Sequence, residues 1–128
     1  MADASYPDDL HYHAEHDWAR IDGDQATLGI TWYAQDSLGE IVFFDPPKQG
    51  TTVTKDSPYT EVESVKAVSD VTAPLSGEII EVNETLADSP EKINEDPYGE
   101  GWLVKISVAD PSETESLMDA AAYEATLD

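Results

Sequence analysis

The chain has 128 residues, with 28 Asp plus Glu against only 6 Lys plus Arg, a formal net charge of −22. That charge excludes nucleic acid and anionic membrane as direct partners, and the lack of cysteine excludes disulfides and thiol chemistry from the chain itself. The length sets one domain, and 40% hydrophobic residues set it apart from an acidic disordered tail.

The acids recur along the whole chain rather than in one block, a distribution expected of a surface adapted to high salt and of a halophilic prokaryotic source. No apolar run approaches the length of a membrane span, and MADASYPDDL lacks the basic and apolar regions of a signal peptide. Both point to a cytoplasmic protein.

Residues 1–10 read as a loosely ordered N-terminus. DWARI and ATLGI flank a GDQ turn at 23–25 and predict a β-hairpin, which Gly29 weakens. In TWYAQDSLG, Thr31 can cap a short helix ending at Gly39, with Tyr33, Ala34 and Leu38 on one face. EIVFFD at 40–45 is a strand stopped by Pro46 and Pro47. TTVT, YTEVESV, SDVTA and GEIIEV follow as short strands. Residues 84–101 hold Pro90, Pro97 and two glycines, and read as one short helix and a long loop. WLVKISV is a strand. Pro111 with a capping box of Ser112 and Glu115 then predicts a C-terminal helix over 111–127, with Leu117, Met118, Ala121 and Ala125 at helical spacing. Closely spaced short strands favour a mainly β sandwich or barrel over a parallel sheet with crossover helices.

Lys66, in EVESVKAVSD, is a scarce cation set in an apolar run. Most lone lysines are solvated surface charges. Here the neighbours are small or β-branched, and the nearest acids stand at Glu61, Glu63 and Asp70. A tight hairpin with Lys66 at its tip suits covalent acylation, which removes the charge and extends the side chain into an arm.

ESVKAVSD resembles the lipoylation site of the glycine cleavage H-protein family. HDWAR at 16–20, GITWYAQDSLGEIVFFDPP at 29–47, APLSGEIIEVNETL at 73–86 and DPYGEGWLVKI at 96–106 resemble the same family, so the likeness spans roughly residues 10–125 in order. It implies a lipoyl-type hybrid of two antiparallel sheets with short peripheral helices, and lipoate attached to Lys66. It also implies a non-catalytic carrier that takes the aminomethyl group of glycine from a pyridoxal-phosphate-dependent decarboxylase to a tetrahydrofolate-dependent aminomethyltransferase. Dihydrolipoamide dehydrogenase then reoxidises the arm, and a lipoate-attaching enzyme installs it. The family's cleft residues map onto Asp17 and Asp70, with Glu15 two positions before Asp17. The family commonly has Glu at position 17, Ser at 15 and often Asp at 32, where this chain has Asp17, Glu15 and Trp32.

Other readings carry less. An H-like donor of lipoyl groups fits the same motif. A biotinyl carrier typically has methionine on both sides of the lysine, where Val65 and Ala67 stand here. An unmodified binding module is the plainest alternative. His11, His13, Glu15 and His16 could suggest a metal site, but surface histidines explain HYHAEH as well and no second ligand cluster accompanies it. Tyr98, Trp102 and Phe43 fit packing better than nucleotide stacking, and DPYGEG lacks the spacing of a calcium loop.

Overall fold

The computed structural model describes residues 6–127. A six-stranded antiparallel sheet and a three-stranded one face each other. The larger comprises β1 (His11–His13), β2 (Asp17–Asp22), β3 (Gln25–Ile30), β5 (Thr52–Val53), β8 (Gly77–Val82) and β9 (Val104–Val108), in the order β1-β2-β3-β9-β8-β5. The smaller comprises β4 (Ile41–Asp45), β6 (Pro58–Ser64) and β7 (Val68–Thr72), in the order β4-β6-β7. Leu28, Ile30, Ile79 and Ile106 of the first sheet meet Ile41, Phe44, Val62 and Val71 of the second in one buried cluster. The mainly β, two-sheet fold expected from the strand spacing is the fold observed.

Helix α1 (Trp32–Leu38) joins the sheets. Thr31 caps it by accepting the Ala34 N–H at 3.2 Å, and Gly39, at φ 83°, ends it with an N–H to Gln35 O. The left-handed turn at Gly39 is one that a side chain resists, and it aims the chain into β4.

Gly29 marks a close approach rather than a weak strand. It pairs with Trp18 across β2 and β3, and a Cβ there would lie 2.6 Å from the indole ring. Trp18 is thereby buried, with Nε1–H donating to Pro97 O at 3.0 Å. It joins a second, smaller cluster with Leu10, Tyr12, Ala120 and Tyr123.

Three segments differ from the sequence reading. Residues 84–101 form two one-turn helices, α2 (Thr85–Asp88) and α3 (Lys92–Glu95), rather than one. Each buries a single apolar anchor, Leu86 and Ile93. The C-terminal helix, α4, is only Ala120–Ala125, with Asp119 as its cap. Pro111–Ser116 is instead a 3-10 turn capped by Asp110, so the Ser112–Glu115 box is not what opens a helix. Tertiary contacts decide this. Glu113 accepts both the N–H and the hydroxyl of Ser76, and Met118 exchanges two 2.8 Å backbone hydrogen bonds with Tyr12 at the edge of β1. At the other terminus, residues 1–5 of the expected loose segment lie outside the described residues, while Leu10 is buried and Tyr12 donates its hydroxyl to Pro7 O.

Candidate functional site

Strands β6 and β7 pair in antiparallel register from Pro58↔Thr72 to Glu63↔Val68, leaving Val65, Lys66 and Ala67 at the hairpin tip. Ser64 fastens this turn. Its N–H donates to Ala67 O at 2.8 Å, while its Oγ accepts the N–H groups of Lys66 and Ala67 at 3.3 and 3.1 Å. The Val65 N–H donates to Glu40 O at 3.0 Å and ties the tip to the end of α1. The Lys66 stem lies over Gly39, where an added Cβ would come 3.7 Å from Lys66 Cε. Lys66 itself is exposed, and among the described residues its ammonium makes no ion pair. The turn is held by these hydrogen bonds while the amine stands exposed.

Asn94, which the sequence reading passed over, locks the base of this arrangement. Its Oδ1 accepts the Ile41 N–H at 2.8 Å, and its Nδ2 donates to Gly39 O and Gln35 Oε1. α3 thereby clamps the α1–β4 joint against which the hairpin rests. Only the folded chain brings position 94 to position 41, so no local signal marks it.

Beside the hairpin lies a cavity of about 250 Å³ lined by Glu15, Asp17, Tyr33, Leu38, Ser69 and Asp70 among others. Asp17, Asp70 and Glu15, named from sequence, thus come together at one cavity. Their environments differ. Asp17 is 2% exposed, and its Oδ2 has no hydrogen-bond partner. Burial, reinforced by the Glu15 carboxylate, pushes its carboxyl well above the usual range. His13 Nδ1 lies 4.0 Å from that oxygen but supplies no proton. It accepts the Glu15 N–H at 3.0 Å, so the ring's hydrogen sits on Nε2 and goes to Asp56 at 2.6 Å. The apparent His13–Asp17 pair is therefore not an ion pair.

Asp70 forms the rim of the cavity. The register sets it opposite exposed Glu61, whereas its neighbour Ser69 stands opposite buried Val62. Glu15 is exposed at the mouth. Tyr33, Ala34 and Leu38, the predicted helix face, line the opposite wall. His16 completes it from a left-handed backbone at φ 73°, uncommon for a residue with a side chain. Its ring lies against Tyr33, and its Nδ1 meets the Tyr123 hydroxyl at 2.7 Å. That hydroxyl also meets Thr31 Oγ1 at 2.8 Å, which binds α4 to the cap of α1. Burial outweighs the Glu15 charge and lowers the affinity of His16 for a proton. The fixed turn at His16 delivers Asp17 to the cavity interior. Neither Tyr33 nor Ser69 was singled out as a site residue, although the alternation of β6 and β7 could have marked Ser69.

Tyr98 and Trp102 pack on the second core cluster, whereas Phe43 stands exposed on the smaller sheet, so the three form no common platform.

A family profile described as Glycine cleavage H-protein matches residues 10–128. The chain belongs to the glycine cleavage H-protein family. It is 53% identical over 119 residues to the glycine cleavage system H protein of Halorhodospira halophila, covering 92% of each chain. It is 49% identical over 122 residues to that of Symbiobacterium thermophilum, covering 95% of each. Its fold matches a crystal structure of a glycine cleavage system H protein from Mycobacterium marinum with a TM-score of 0.83 at 40% identity, covering 94% of this chain and 97% of that one. The hairpin and cavity belong to the part of the chain that the family profile spans.

Proposed function

We propose that this chain is the lipoyl-bearing carrier of the glycine cleavage system and that Lys66 is its attachment point. The observation that carries this reading is the free amine of Lys66 on a fastened hairpin beside a cavity that holds a buried, unpartnered carboxyl, Asp17. Lipoate in amide linkage to Lys66 supplies a dithiolane that takes up the aminomethyl carbon of glycine and passes it on.

The residues fit such a group. Acylation consumes a charge that no ion pair in the described residues depends on. The stem of Lys66 lies over Gly39, which lines a second cavity of about 560 Å³ between α1 and α3, while Leu38, next in sequence, lines the first. Asp17 is the buried carboxyl among the cavity's lining residues, and Asp70 and Glu15 stand exposed at its mouth as partners for a primary ammonium brought in. Tyr33, Leu38 and Val62 give the cavity an apolar wall. The chain's own part is to hold, shield and present, so it acts as a non-catalytic component.

The partners on this reading are the pyridoxal-phosphate-dependent glycine decarboxylase, the tetrahydrofolate-dependent aminomethyltransferase, dihydrolipoamide dehydrogenase and the lipoate-attaching enzyme. Attachment to one tether raises the local concentration of the arm at each active site in turn. A cytoplasmic location and a surface adapted to high salt belong to the same reading. The second rests on the −22 charge, and no helix among the described residues is long and apolar enough to cross a membrane.

The test is glycine-dependent carbon dioxide exchange in a system reconstituted with lipoylated protein. Exchange is expected with the wild type and lost with Lys66→Arg, which keeps the charge but cannot take the acyl group in the same way. Undiminished exchange with Lys66→Arg would overturn the assignment. Transfer of the lipoyl group itself to another acceptor, without aminomethyl transfer, would identify a donor rather than a carrier.

A further inference from the structure

Helix α1 separates two cavities. Tyr33, Ala34, Ser37 and Leu38 line the one beside the hairpin. Trp32, Gln35, Asp36 and Gly39, spaced i, i+3, i+4 and i+7 along one stripe of the helix, line the other, which they share with Asn94 and Glu95 of α3. Its volume of about 560 Å³ falls in the ~300–1,000 Å³ range of sites that enclose small organic molecules. This second cavity is held in shape by its own walls. Gln35 Nε2 donates to Trp32 O at 3.0 Å, and the Trp32 N–H donates to the Tyr98 hydroxyl at 2.9 Å. Asn94 Nδ2 donates to both Gln35 Oε1 and Gly39 O, fixing α3 against α1. A preformed seat has little left to order when it is filled.

Lys66 meets this cavity at one end, because its Cε lies over Gly39. Trp32 stands at the other end, seven residues back along α1, a distance of about 10 Å at the rise of a helix. An acyl chain on Nζ that ends in a dithiolane also spans on the order of 10 Å when extended, with bonds of about 1.5 Å. Tether and cavity therefore match in length. We propose that the cavity between α1 and α3 is the seat of the Lys66 lipoyl arm in its disulfide state, with the dithiolane laid against the Trp32 indole. The inference rests on the assignment of Lys66 as the attachment point.

The chemistry selects this occupant. A disulfide arm is neutral and apolar, and laying it on the half-buried indole takes apolar surface of both out of water. Sulfur also packs favourably against an aromatic ring. Asp36, Glu40, Glu91 and Glu95 stand around this cavity, and all four are exposed. They do not act on a neutral group, and solvent and salt screen their pull on a cation. An arm that carries an ammonium is drawn instead to the other side of α1, where Asp17 is buried and a charge is screened far less. Trp32 stands where the family often has Asp, so the apolar floor of this seat is a feature of this chain.

The test uses the full chain lipoylated at Lys66, verified by intact mass and held in the disulfide form. Nuclear Overhauser contacts are measured from the dithiolane protons, and the initial rate of disulfide reduction is followed with a neutral phosphine. Contacts to the Trp32 ring and the Asn94 side-chain amide are expected. Reduction of the wild type is expected to be roughly fivefold slower than that of Trp32→Ala, the factor for an arm seated about four-fifths of the time. Trp32→Phe, which keeps a flat apolar floor, is expected to stay close to wild type. Contacts to Tyr33, Leu38 or Val62 instead would put the disulfide in the other cavity. An arm without contacts beyond the hairpin, reduced at one rate in all three proteins, would leave it in solvent. Either result overturns the seat while Lys66 remains the lipoylated residue. A wild type that gains no lipoyl increment at Lys66 would overturn the attachment point, and the seat with it.

Discussion

Asp17→Asn isolates the cost of the buried carboxyl. The wild-type group is 2% exposed with an unpartnered Oδ2, and burial raises its pKa well above the ordinary 3.8. The folded state therefore keeps its proton over a pH range in which the unfolded chain has lost it. The stability this group contributes is complete below pH 3.8 and is lost as pH rises towards the folded pKa. Over that window the loss approaches about 1.4 kcal/mol per pH unit, the value for one proton. The asparagine variant stays neutral in both states and has no such slope. Urea unfolding of both proteins between pH 4 and 7, at fixed salt and followed by tryptophan fluorescence, gives the difference directly. The other carboxylates cancel in that difference, and any loss of packing in the variant adds only a constant offset. The variant is expected to gain on the wild type steadily as pH rises and then to level off. Parallel stability curves across the range would show that Asp17 is hydrated or paired in solution and would refute the argument from its burial.

Gly29→Ala would force a methyl group to 2.6 Å from the Trp18 ring; overpacking there is expected to cost roughly 1–3 kcal/mol in chemical unfolding and to alter the near-ultraviolet circular dichroism of the buried indole. Asn94→Ala leaves the Ile41 N–H and Gly39 O without their partner. It is expected to cost about 1–3 kcal/mol and to speed hydrogen exchange at Ile41 and Val65 before the rest of the sheet. With a net charge of −22, the urea midpoint is expected to climb as salt is raised from dilute buffer to molar concentrations, and a protein most stable in dilute buffer would contradict the salt-adapted surface.

What the sequence made legible was local. The Lys66 turn, the Thr31 cap and the stop at Gly39 each depend on a few adjacent residues, so their patterns survive without the fold. Asp17 could be named by its position in HDWAR, but its burial could not. The left-handed turn at His16 and the pairing of Asp17 with Ile30 carry it inward, and both are tertiary outcomes. Asp70 shows the converse. Its place four residues after Lys66 marked it for the site, yet the pairing with Glu61 turns it to the rim. At the C-terminus a real capping pattern lost to the Glu113–Ser76 and Met118–Tyr12 contacts, which no spacing within 111–127 encodes. Local preference yields wherever a partner distant in sequence satisfies the same groups.

The central claim is that Lys66 carries lipoate, and the most direct measurement is intact and peptide mass of protein expressed natively with a lipoate supply. The account predicts a single lipoyl increment, localised to the peptide containing Lys66 and absent from Lys66→Arg. An unmodified mass under those conditions, or the same increment persisting in Lys66→Arg, would contradict it.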